Sequence, residues 1–336
     1  MKKCLSMLVL SFALVLLSAV GPKGAMAAPA SDSKPIELIY SNLYPETHPR
    51  GEMSIWAAKQ IQKFTNDRIK IKLYLGGNLV PTSQEFDACQ KGTTDMGTLI
   101  AIYFEGKLPT LMAINALSSY SIPDSAAIYE DIRPLLDQEF GKRNMKYLWG
   151  VNSGSLILGS KKPVRTVHDL KGLKIRAGGG SHSDWVKILG GAPVSLTIAE
   201  AYMALRTGVV DGILTGYDSY LDLKLYEVAP NVTVIGDNGS SILTVINLSR
   251  FNSLSKEDQD AIMSVAKHMS NYCLGALLSS EALAVSKLKT VGATIIPITP
   301  AEADNFRSAV KSQWEGYLQR TGDTGKKFLS VTQKYR

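Results

Sequence analysis

The first third of the chain alternates between strand-like and helix-like spacing of apolar residues. Residues 36–40 and 95–99 are short apolar runs, and residues 69–74 alternate apolar with polar positions, as half-buried strands do. Residues 51–64 repeat Ile55, Ala58 and Ile61 at helical spacing, and residues 83–91 suit a short helix. This β-α-β-α-β order predicts a parallel sheet flanked by helices.

A second unit of the same kind follows in the middle of the chain. Its predicted elements are a short helical segment, a strand, a helix, an extended piece, a helix and a strand, at residues 164–171, 173–176, 181–189, 192–196, 199–207 and 209–214. In the second of the two longer helices, Ala201, Met203 and Leu205 are expected to face inward. We therefore expect two α/β units in one chain.

Two further extended pieces, residues 145–149 and 242–248, are predicted to cross between the units. Helical spacing then continues through residues 256–268 and 270–290, and the second tract is long, apolar and rich in alanine, as expected of a helix that braces both units. Crossing strands make a hinge, so a ligand belongs in the cleft between the two lobes. We place the lobes at residues 36–153 with 241–280, and at 154–240 with 281–336.

The first 27 residues have the pattern of a cleaved signal peptide. Lys2 and Lys3 precede an uncharged apolar run at residues 5–20, and Ala25-Met26-Ala27 supplies the small residues before a cut ahead of Ala28. The alternative, a membrane anchor, needs roughly 20 apolar residues, more than this run offers. We expect a secreted, periplasmic protein.

Charge and cysteine content exclude several functions. The formal charge of +7 falls to +4 when Lys2, Lys3 and Lys23 leave with the signal peptide (7 − 3), and the basic residues form no dense block, so nucleic acid is not an expected partner. Cys89 and Cys273 lie in apolar helical patterns; we favour buried free thiols, with a disulfide as the alternative. The four histidines have no metal-ligand spacing, and we expect no metal.

Sequence motifs of catalysis and cofactor binding are absent. The sequence contains no nucleophile elbow, no His-Glu-x-x-His and no nucleotide-binding glycine loop. Gly178-Gly179-Gly180 lacks nucleotide spacing and is interpreted as a flexible turn that lets backbone amides face the cleft. We therefore expect no cofactor and no enzyme activity.

Arg176 is the most informative candidate. It ends a predicted strand and precedes the three glycines, and ligands of open α/β sheets bind beyond the carboxyl ends of the strands. A guanidinium there matches a carboxylate in a bidentate pair. The alternative is a surface arginine paired with a neighbouring acid, and the residues alone leave the two readings even.

An ordered series of segments resembles the solute-binding subunits of tripartite ATP-independent periplasmic (TRAP) transporters. The segments are Asp169-Leu-Lys-Gly-Leu-Lys-Ile-Arg176, His48-Pro49, Phe64-Thr65-Asn66, Asn78-Leu79, Lys91-Gly92-Thr93-Thr94-Asp95-Met96 and the stretch from Glu200-Ala-Tyr202 to Asp211-Gly212. The resemblance spans residues 36–330. It implies a two-lobed periplasmic-binding-protein fold, an organic acid whose carboxylate pairs with Arg176, docking on membrane-embedded subunits, and uptake driven by an ion gradient.

The chain departs from the sialic-acid-binding branch of that family at other ligand positions. By spacing, Leu156 stands where that branch has a second arginine, Thr215 where it has an asparagine, and Ile198 where it has an aromatic residue; a glutamate falls near Ile100. Fewer charged groups favour a ligand that is less polar than a sugar acid.

Further cleft candidates follow from their places in the chain. Asn42 follows the first strand, Trp149 ends a crossing strand, Tyr103 follows the strand at 95–99, and Tyr217 follows Thr215. Aromatic rings stack on planar or apolar ligands, although packing between lobes is the alternative for each. Asp218 and Asp237 are candidates to hold an amine or hydroxyl, or to make turns and salt bridges.

The leading hypothesis is a TRAP-type receptor for a monocarboxylate, aromatic or branched, acting as a monomer. A dimer through the long helix remains open. The alternatives are a sensor subunit that presents its ligand to a membrane receptor, and an exported hydrolase.

Overall fold

The structure is a computed structural model that describes residues 34–116, 120–236 and 239–335. The predicted signal peptide therefore lies outside the described residues. The strands, in chain order, are β1 (Ile36–Ser41), β2 (Ile69–Tyr74), β3 (Met96–Ile100), β4 (Met145–Asn152), β5 (Leu156–Ser160), β6 (Lys174–Ala177), β7 (Ala192–Ser195), β8 (Gly212–Thr215), β9 (Asn231–Gly236), β10 (Ser241–Asn247) and β11 (Thr294–Ile296).

The α-helices alternate with these strands and then dominate the C-terminal third. They are α1 (Pro49–Phe64), α2 (Glu85–Lys91), α3 (Met112–Asn115), α4 (Ser125–Asp131), α5 (Arg133–Gly141), α6 (Gly180–Ile188), α7 (Ala201–Thr207), α8 (Tyr217–Asp222), α9 (Leu248–Asn252), α10 (Lys256–Thr290), α11 (Pro300–Ser308) and α12 (Gln313–Thr332). Within the described ranges, no helix is both long and apolar enough to cross a bilayer.

Two sheets organise the molecule, and each is the centre of one lobe. The first has the order β2-β1-β3-β10-β4 and the second β11-β9-β5-β8-β6-β7. β1 pairs in parallel with β2 and β3, as predicted, whereas β10 runs antiparallel to β3 and β4. In the second sheet β6 pairs in parallel with β7 and β8, and β5 runs antiparallel to β8 and β9. The expected two-lobed α/β fold is confirmed, with mixed rather than purely parallel sheets.

The chain passes between the lobes next to strands β4 and β10. Both strands lie wholly in the first sheet, while their chain neighbours β5 and β9 lie in the second. The crossing therefore occurs after β4 and before β10, and not along the strands themselves. The two connecting segments, after β4 and before β10, are hydrogen-bonded to each other. The Ser153 amide donates to the Ser240 carbonyl at 2.8 Å, and the Gly239 amide donates to the Gly154 carbonyl at 3.0 Å.

Helix α10 braces both lobes. The two predicted helical tracts form one continuous helix of 35 residues, which begins where the Ser255 hydroxyl accepts from the Asp258 amide. At about 1.5 Å per residue it spans roughly 50 Å. It packs on α1 and β4 of the first lobe and on α8 and β11 of the second. Near the C-terminus, α12 packs on α3 and on the turn before it.

Two local predictions in the second lobe are wrong. Met203 is 55 % exposed, while Ala201, Ala204 and Leu205 are buried. Residues three and four apart share a helix face, so position 203 points away from the face that carries 201 and 205. Strand β8 begins at Gly212 rather than at residue 209, because Gly208 ends α7 in a left-handed conformation with φ 78°.

Candidate ligand-binding site

A cavity lies between the two lobes, at the carboxyl ends of β3, β6 and β8. The lining includes Ile102 and Tyr103 after β3, Arg176 on β6, and Leu214 and Thr215 on β8. The space free of protein atoms is about 490 Å³, including its opening toward solvent. Ligands of α/β folds occupy such positions, so this cavity is the candidate binding site.

Arg176 is buried in the wall of the cavity and held by neutral groups. Only 3 % of the residue is exposed. Its Nε donates to the Leu196 carbonyl at 2.8 Å, Nη1 to the Leu214 carbonyl at 3.1 Å, and Nη2 to the Tyr103 hydroxyl at 2.9 Å. Among the residues that the structure describes, no carboxylate oxygen lies within 4.0 Å of its guanidinium. The site thus holds a fixed positive charge that only neutral acceptors surround.

Tyr103 connects the lobes at this point. It lies in the turn after β3 of the first lobe, and its hydroxyl accepts hydrogen bonds from Arg176 and, at 3.0 Å, from the Ile198 amide of the second lobe. The phenolic hydrogen remains for another acceptor, because a hydroxyl both donates and accepts. Tyr103 therefore holds the Arg176 guanidinium in its orientation and also joins the two lobes through hydrogen bonds.

A buried ion pair closes another side of the cavity. Arg50 in α1 of the first lobe donates through Nη1 to Asp218 in α8 of the second lobe at 2.6 Å. Burial raises the pKa of Asp218, but the Arg50 guanidinium, His48 and the hydrogen bond from the Ser219 amide together outweigh burial, and the pKa is lowered. The guanidinium also packs against the Tyr44 ring, 5.2 Å from its centroid. The charge of Arg50 is therefore already compensated within the protein.

His182 is a buried neutral group in the same wall. It lies in the first turn of α6 and is 5 % exposed. Burial, together with the positive charge of Arg176, lowers the pKa of His182 to about 3, although a hydrogen bond with the Gly239 backbone opposes this. The imidazole is therefore uncharged at neutral and mildly acidic pH.

Gly180 allows the two lobes to approach closely beside the cavity. Its φ is 25°, and a Cβ there would lie 1.9 Å from Oε2 of Glu105. That carboxylate instead accepts from the Ser181 amide at 2.7 Å and from the Ser181 hydroxyl at 2.9 Å. Gly180 of the triple glycine thus allows close contact with the first lobe. The Ser181 amide at the start of α6 already donates to Glu105.

Metal ligands do not gather here. Over residues 34–116, 120–236 and 239–335, no three His, Cys, Asp or Glu side chains are arranged to hold an ion.

Known proteins of similar sequence support the interpretation of this cavity as a ligand-binding site. Residues 40–320 match the family model of DctP, the bacterial extracellular solute-binding protein family 7. The chain belongs to this family. A solute-binding protein of Albidiferax ferrireducens is 26 % identical over 272 residues, which cover 77 % of this chain and 79 % of the relative.

Solved structures share the fold of this DctP-family protein. DctP7 of Bordetella pertussis, described as an extracytoplasmic solute receptor binding pyroglutamic acid, superposes with a TM-score of 0.84 at 18 % identity, over 89 % of this chain and 99 % of that one. A TRAP periplasmic solute-binding protein from Roseobacter denitrificans with bound β-D-glucuronate gives 0.83 at 20 % identity, over 90 % and 100 %. The expected TRAP solute-binding family is confirmed, and its members are receptors rather than enzymes.

The structure brings together most of the residues that the sequence placed in the cleft of this solute-binding protein. The predicted residues that line the cavity are Arg176, Tyr103, Thr215, Asp218, Leu156 and Ile198. Ile100, where the sialic-acid branch has a glutamate nearby, also lines it. Asp237 lies outside the described residues.

Three predicted residues of the DctP-family protein lie in its cores instead. Asn42 is fully buried, donates to the Ser54 hydroxyl at 2.7 Å and accepts from the Tyr44 amide at 3.0 Å. Trp149 packs in the core of the first lobe, and Tyr217 packs in the core of the second. None of the three lines the cavity, because each side chain points to the interior of its own lobe.

Two cavity residues of the receptor were not predicted. Arg50 follows the His48-Pro49 pair that starts α1, and His182 follows the triple glycine. The sequence signal that could have indicated these two residues is their place beside His48-Pro49 and beside the triple glycine. Their place in the site depends on contacts between residues far apart in the chain, such as the pair 50 and 218.

Proposed function

We propose that this protein captures a small monocarboxylate outside the cytoplasmic membrane and delivers it to membrane-embedded TRAP subunits for uptake driven by an ion gradient. The observation that carries the proposal is the buried guanidinium of Arg176, surrounded by two carbonyls and a hydroxyl. A buried charge without a counter-charge is costly. A carboxylate that enters the cavity removes this cost and forms charge-assisted hydrogen bonds with the guanidinium.

The charges in the cavity wall favour one carboxylate over two. Arg50 and Arg176 are positive and Asp218 is negative, so the charged residues of the lining sum to 2 − 1 = +1. His182 adds nothing, because its pKa is lowered to about 3. A single negative charge on the ligand brings the closed site to neutrality.

The rest of the wall favours a compact, largely apolar ligand body. The aliphatic residues of the lining are Ile100, Ile102, Leu156, Ile198, Leu214 and Ile242. Such walls suit a ring or a branched hydrocarbon part, with a few polar groups fixing its orientation. The two structural neighbours bind pyroglutamic acid and glucuronate, and each of these molecules has one carboxylate.

Closure of the lobes is the proposed mechanism of capture. Tyr103 of the first lobe meets Arg176 and Ile198 of the second, so Arg176, which is proposed to bind the carboxylate, also takes part in a contact between the lobes. Thr215, Asp218, Leu156 and Ile198 are proposed to contact the remainder of the ligand. A ligand bound between lobes stabilises the closed form, which is the form proposed to dock on the membrane subunits.

The test begins with a thermal-shift panel of monocarboxylates and dicarboxylates, because a ligand that binds only the folded protein raises its melting temperature. Calorimetry then compares the best ligand on Arg176→Ala and on Arg165→Ala, an exposed arginine of the same lobe. Loss of a charge-assisted bidentate pair of about 2–3 kcal/mol weakens binding by roughly 100-fold in Arg176→Ala only. Unchanged affinity of Arg176→Ala would overturn the proposal.

A further inference from the structure

Lysines that are scattered along the sequence meet at one edge of the second sheet. It is the edge opposite the cavity, where β5 ends and where β8, β6 and β7 begin. Four segments form this surface, which we call the basic edge: residues 161–163, 171–174, 187–191 and 206–211. The fold therefore concentrates charges that the sequence alone shows as dispersed.

Direct contacts join these segments. Nζ of Lys174, at the start of β6, donates to the Gly208 carbonyl at 2.7 Å. The Lys161 amide donates to the Asp211 carbonyl at 3.0 Å, and the Asp211 amide donates to the Lys174 carbonyl at 2.7 Å. Three of the four segments thus lie side by side and present one continuous surface.

The basic edge holds the positive charge of the mature chain. Its basic residues are Lys161, Lys162, Lys171, Lys174, Lys187 and Arg206. Asp211 is its single acidic residue, so its formal charge is 6 − 1 = +5, and Arg165 and Asp169 nearby add one charge of each sign. The mature chain has +4 in all, which leaves 4 − 5 = −1 for its other residues. Within the part of the chain that the structure describes, none of the six basic groups lies within 4.0 Å of a carboxylate oxygen.

Two exposed apolar side chains lie among these charges. Val209, in the turn between α7 and β8, is 50 % exposed, and Ile188, at the end of α6, is 46 % exposed. The Gly172 amide donates to the Gly190 carbonyl at 2.9 Å, which holds the end of α6 beside the start of β6. Basic side chains around exposed apolar ones are typical of surfaces that bind anionic bilayers. A soluble anion would leave the two apolar side chains in water.

We infer that the basic edge binds the anionic phospholipid headgroups of a bilayer, with Val209 and Ile188 entering the boundary between headgroups and acyl chains. The cavity lies at the opposite edge of the sheet. A receptor bound in this way therefore keeps its cleft away from the lipid and open to solute. The inference goes beyond the proposed function, because Arg176 takes no part in it.

Flotation of the full mature chain with lipid vesicles tests this inference. One set of vesicles contains phosphatidylglycerol and phosphatidylcholine in equal amounts, and the other contains phosphatidylcholine alone. We expect binding to the anionic vesicles at low salt, loss of most of that binding at high salt because salt screens exposed charges, and no binding to the neutral vesicles. Equal binding to both kinds of vesicle, or binding to neither, overturns the inference.

Two triple variants with the same change in net charge test where the lipid binds. The first removes three exposed charges of the basic edge: Lys162→Gln, Lys171→Gln and Lys187→Gln. The control removes three exposed charges of the first lobe: Lys59→Gln, Lys63→Gln and Lys70→Gln. Each basic side chain at an anionic bilayer contributes roughly fivefold in affinity, so the first variant should bind roughly 100-fold more weakly and the control almost unchanged. Equal losses would show attraction by net charge alone and overturn the inference.

Two further measurements separate a bilayer from a soluble anion. Val209→Ser with Ile188→Ser should weaken vesicle binding about tenfold, because two apolar side chains no longer enter the bilayer, whereas Phe64→Ser with Leu79→Ser, at exposed positions of the first lobe, should not. Glycerol phosphate, the soluble headgroup, should not displace the protein at constant ionic strength. Full displacement, or unchanged binding of the first double variant, contradicts a lipid surface. Arg176→Ala should bind vesicles as the wild type does, so this inference and the proposed function can fail separately.

Discussion

The guanidinium of Arg50 and the carboxylate of Asp218 meet at 2.6 Å across the cleft, although 168 residues separate them in the chain. Both residues are buried, and they belong to different lobes. A buried ion pair contributes little net stability compared with an apolar pair, but removing one partner leaves an uncompensated charge. The contact between the two lobes at this point therefore depends on the charges of both Arg50 and Asp218.

Removing the carboxylate of this pair should destabilise the protein strongly. Asp218→Ala leaves Arg50 buried without a counter-charge, and we expect a loss of about 3–5 kcal/mol in the free energy of unfolding. The double variant Arg50→Met with Asp218→Leu removes both charges and should recover most of that loss. Urea unfolding monitored by fluorescence measures both, and a double variant less stable than Asp218→Ala would contradict this account.

The stability of the protein should fall as pH rises from about 4.5 to about 7, because of Glu85. Its side chain is fully buried, and the Ser41 hydroxyl donates to Oε1 at 2.5 Å. Burial raises the pKa of Glu85 from 4.5 to about 7. The folded state therefore keeps a proton that the unfolded state has lost between these values, and stability declines over that window.

Glu85→Gln should remove part of this pH dependence. The amide cannot ionise. Between pH 5 and pH 8 the free energy of unfolding of the variant should therefore change less than that of the wild type, by up to about 3 kcal/mol, and its melting temperature should change correspondingly less. The remaining slope includes Glu105, whose pKa burial also raises to about 7. Glu37→Gln, at an exposed position of β1, is the control, and an equal slope in Glu85→Gln and the wild type would speak against the assignment.

The two cysteines in the described part of the chain should be free and unreactive in the folded protein. Cys89 and Cys273 are both buried thiols, and burial raises the pKa of Cys273 to about 12. A thiol with so high a pKa supplies little thiolate. A disulfide-exchange reagent should label neither thiol in native protein and both after unfolding without reductant, while a count of zero after unfolding would show a disulfide.

Gly180 should tolerate no side chain. Its φ is 25°, and an added Cβ would lie 1.9 Å from the Glu105 carboxylate, so Gly180→Ala must displace the contact between the lobes. We expect the melting temperature to fall by more than about 5 °C. Gly106→Ala is a matched control, because nothing lies within 4 Å of a Cβ there. Equal melting temperatures for the two variants would refute the argument.

The position of Arg176 follows from local sequence, which is why it was predictable. An arginine at the end of a strand and before three glycines lies at the carboxyl edge of a sheet, where α/β folds bind ligands. Leu156, Ile198 and Thr215 were found by their spacing relative to the TRAP family, and the cavity brings them together.

Side-chain direction was not predictable in the same way. Asn42 and Tyr103 both follow strands of the first sheet, yet Asn42 turns to Ser54 in α1 and Tyr103 turns across the cleft to Arg176. The difference arises from packing between α1 and β1 and from the approach of the second lobe. Arg50 and His182 were missed for the same reason, since their roles depend on Asp218 and Gly239, which are remote in sequence.

Recognition of a carboxylate by Arg176 is tested most directly by comparing an acid with its own neutral carboxamide. Dissociation constants of the best acid and of that carboxamide are measured by calorimetry on the wild type and on Arg176→Ala. We predict that the wild type binds the acid roughly 100-fold more tightly than the carboxamide, and that Arg176→Ala binds the two within a few-fold of each other. A variant that still prefers the acid by the wild-type ratio would show that another group holds the carboxylate.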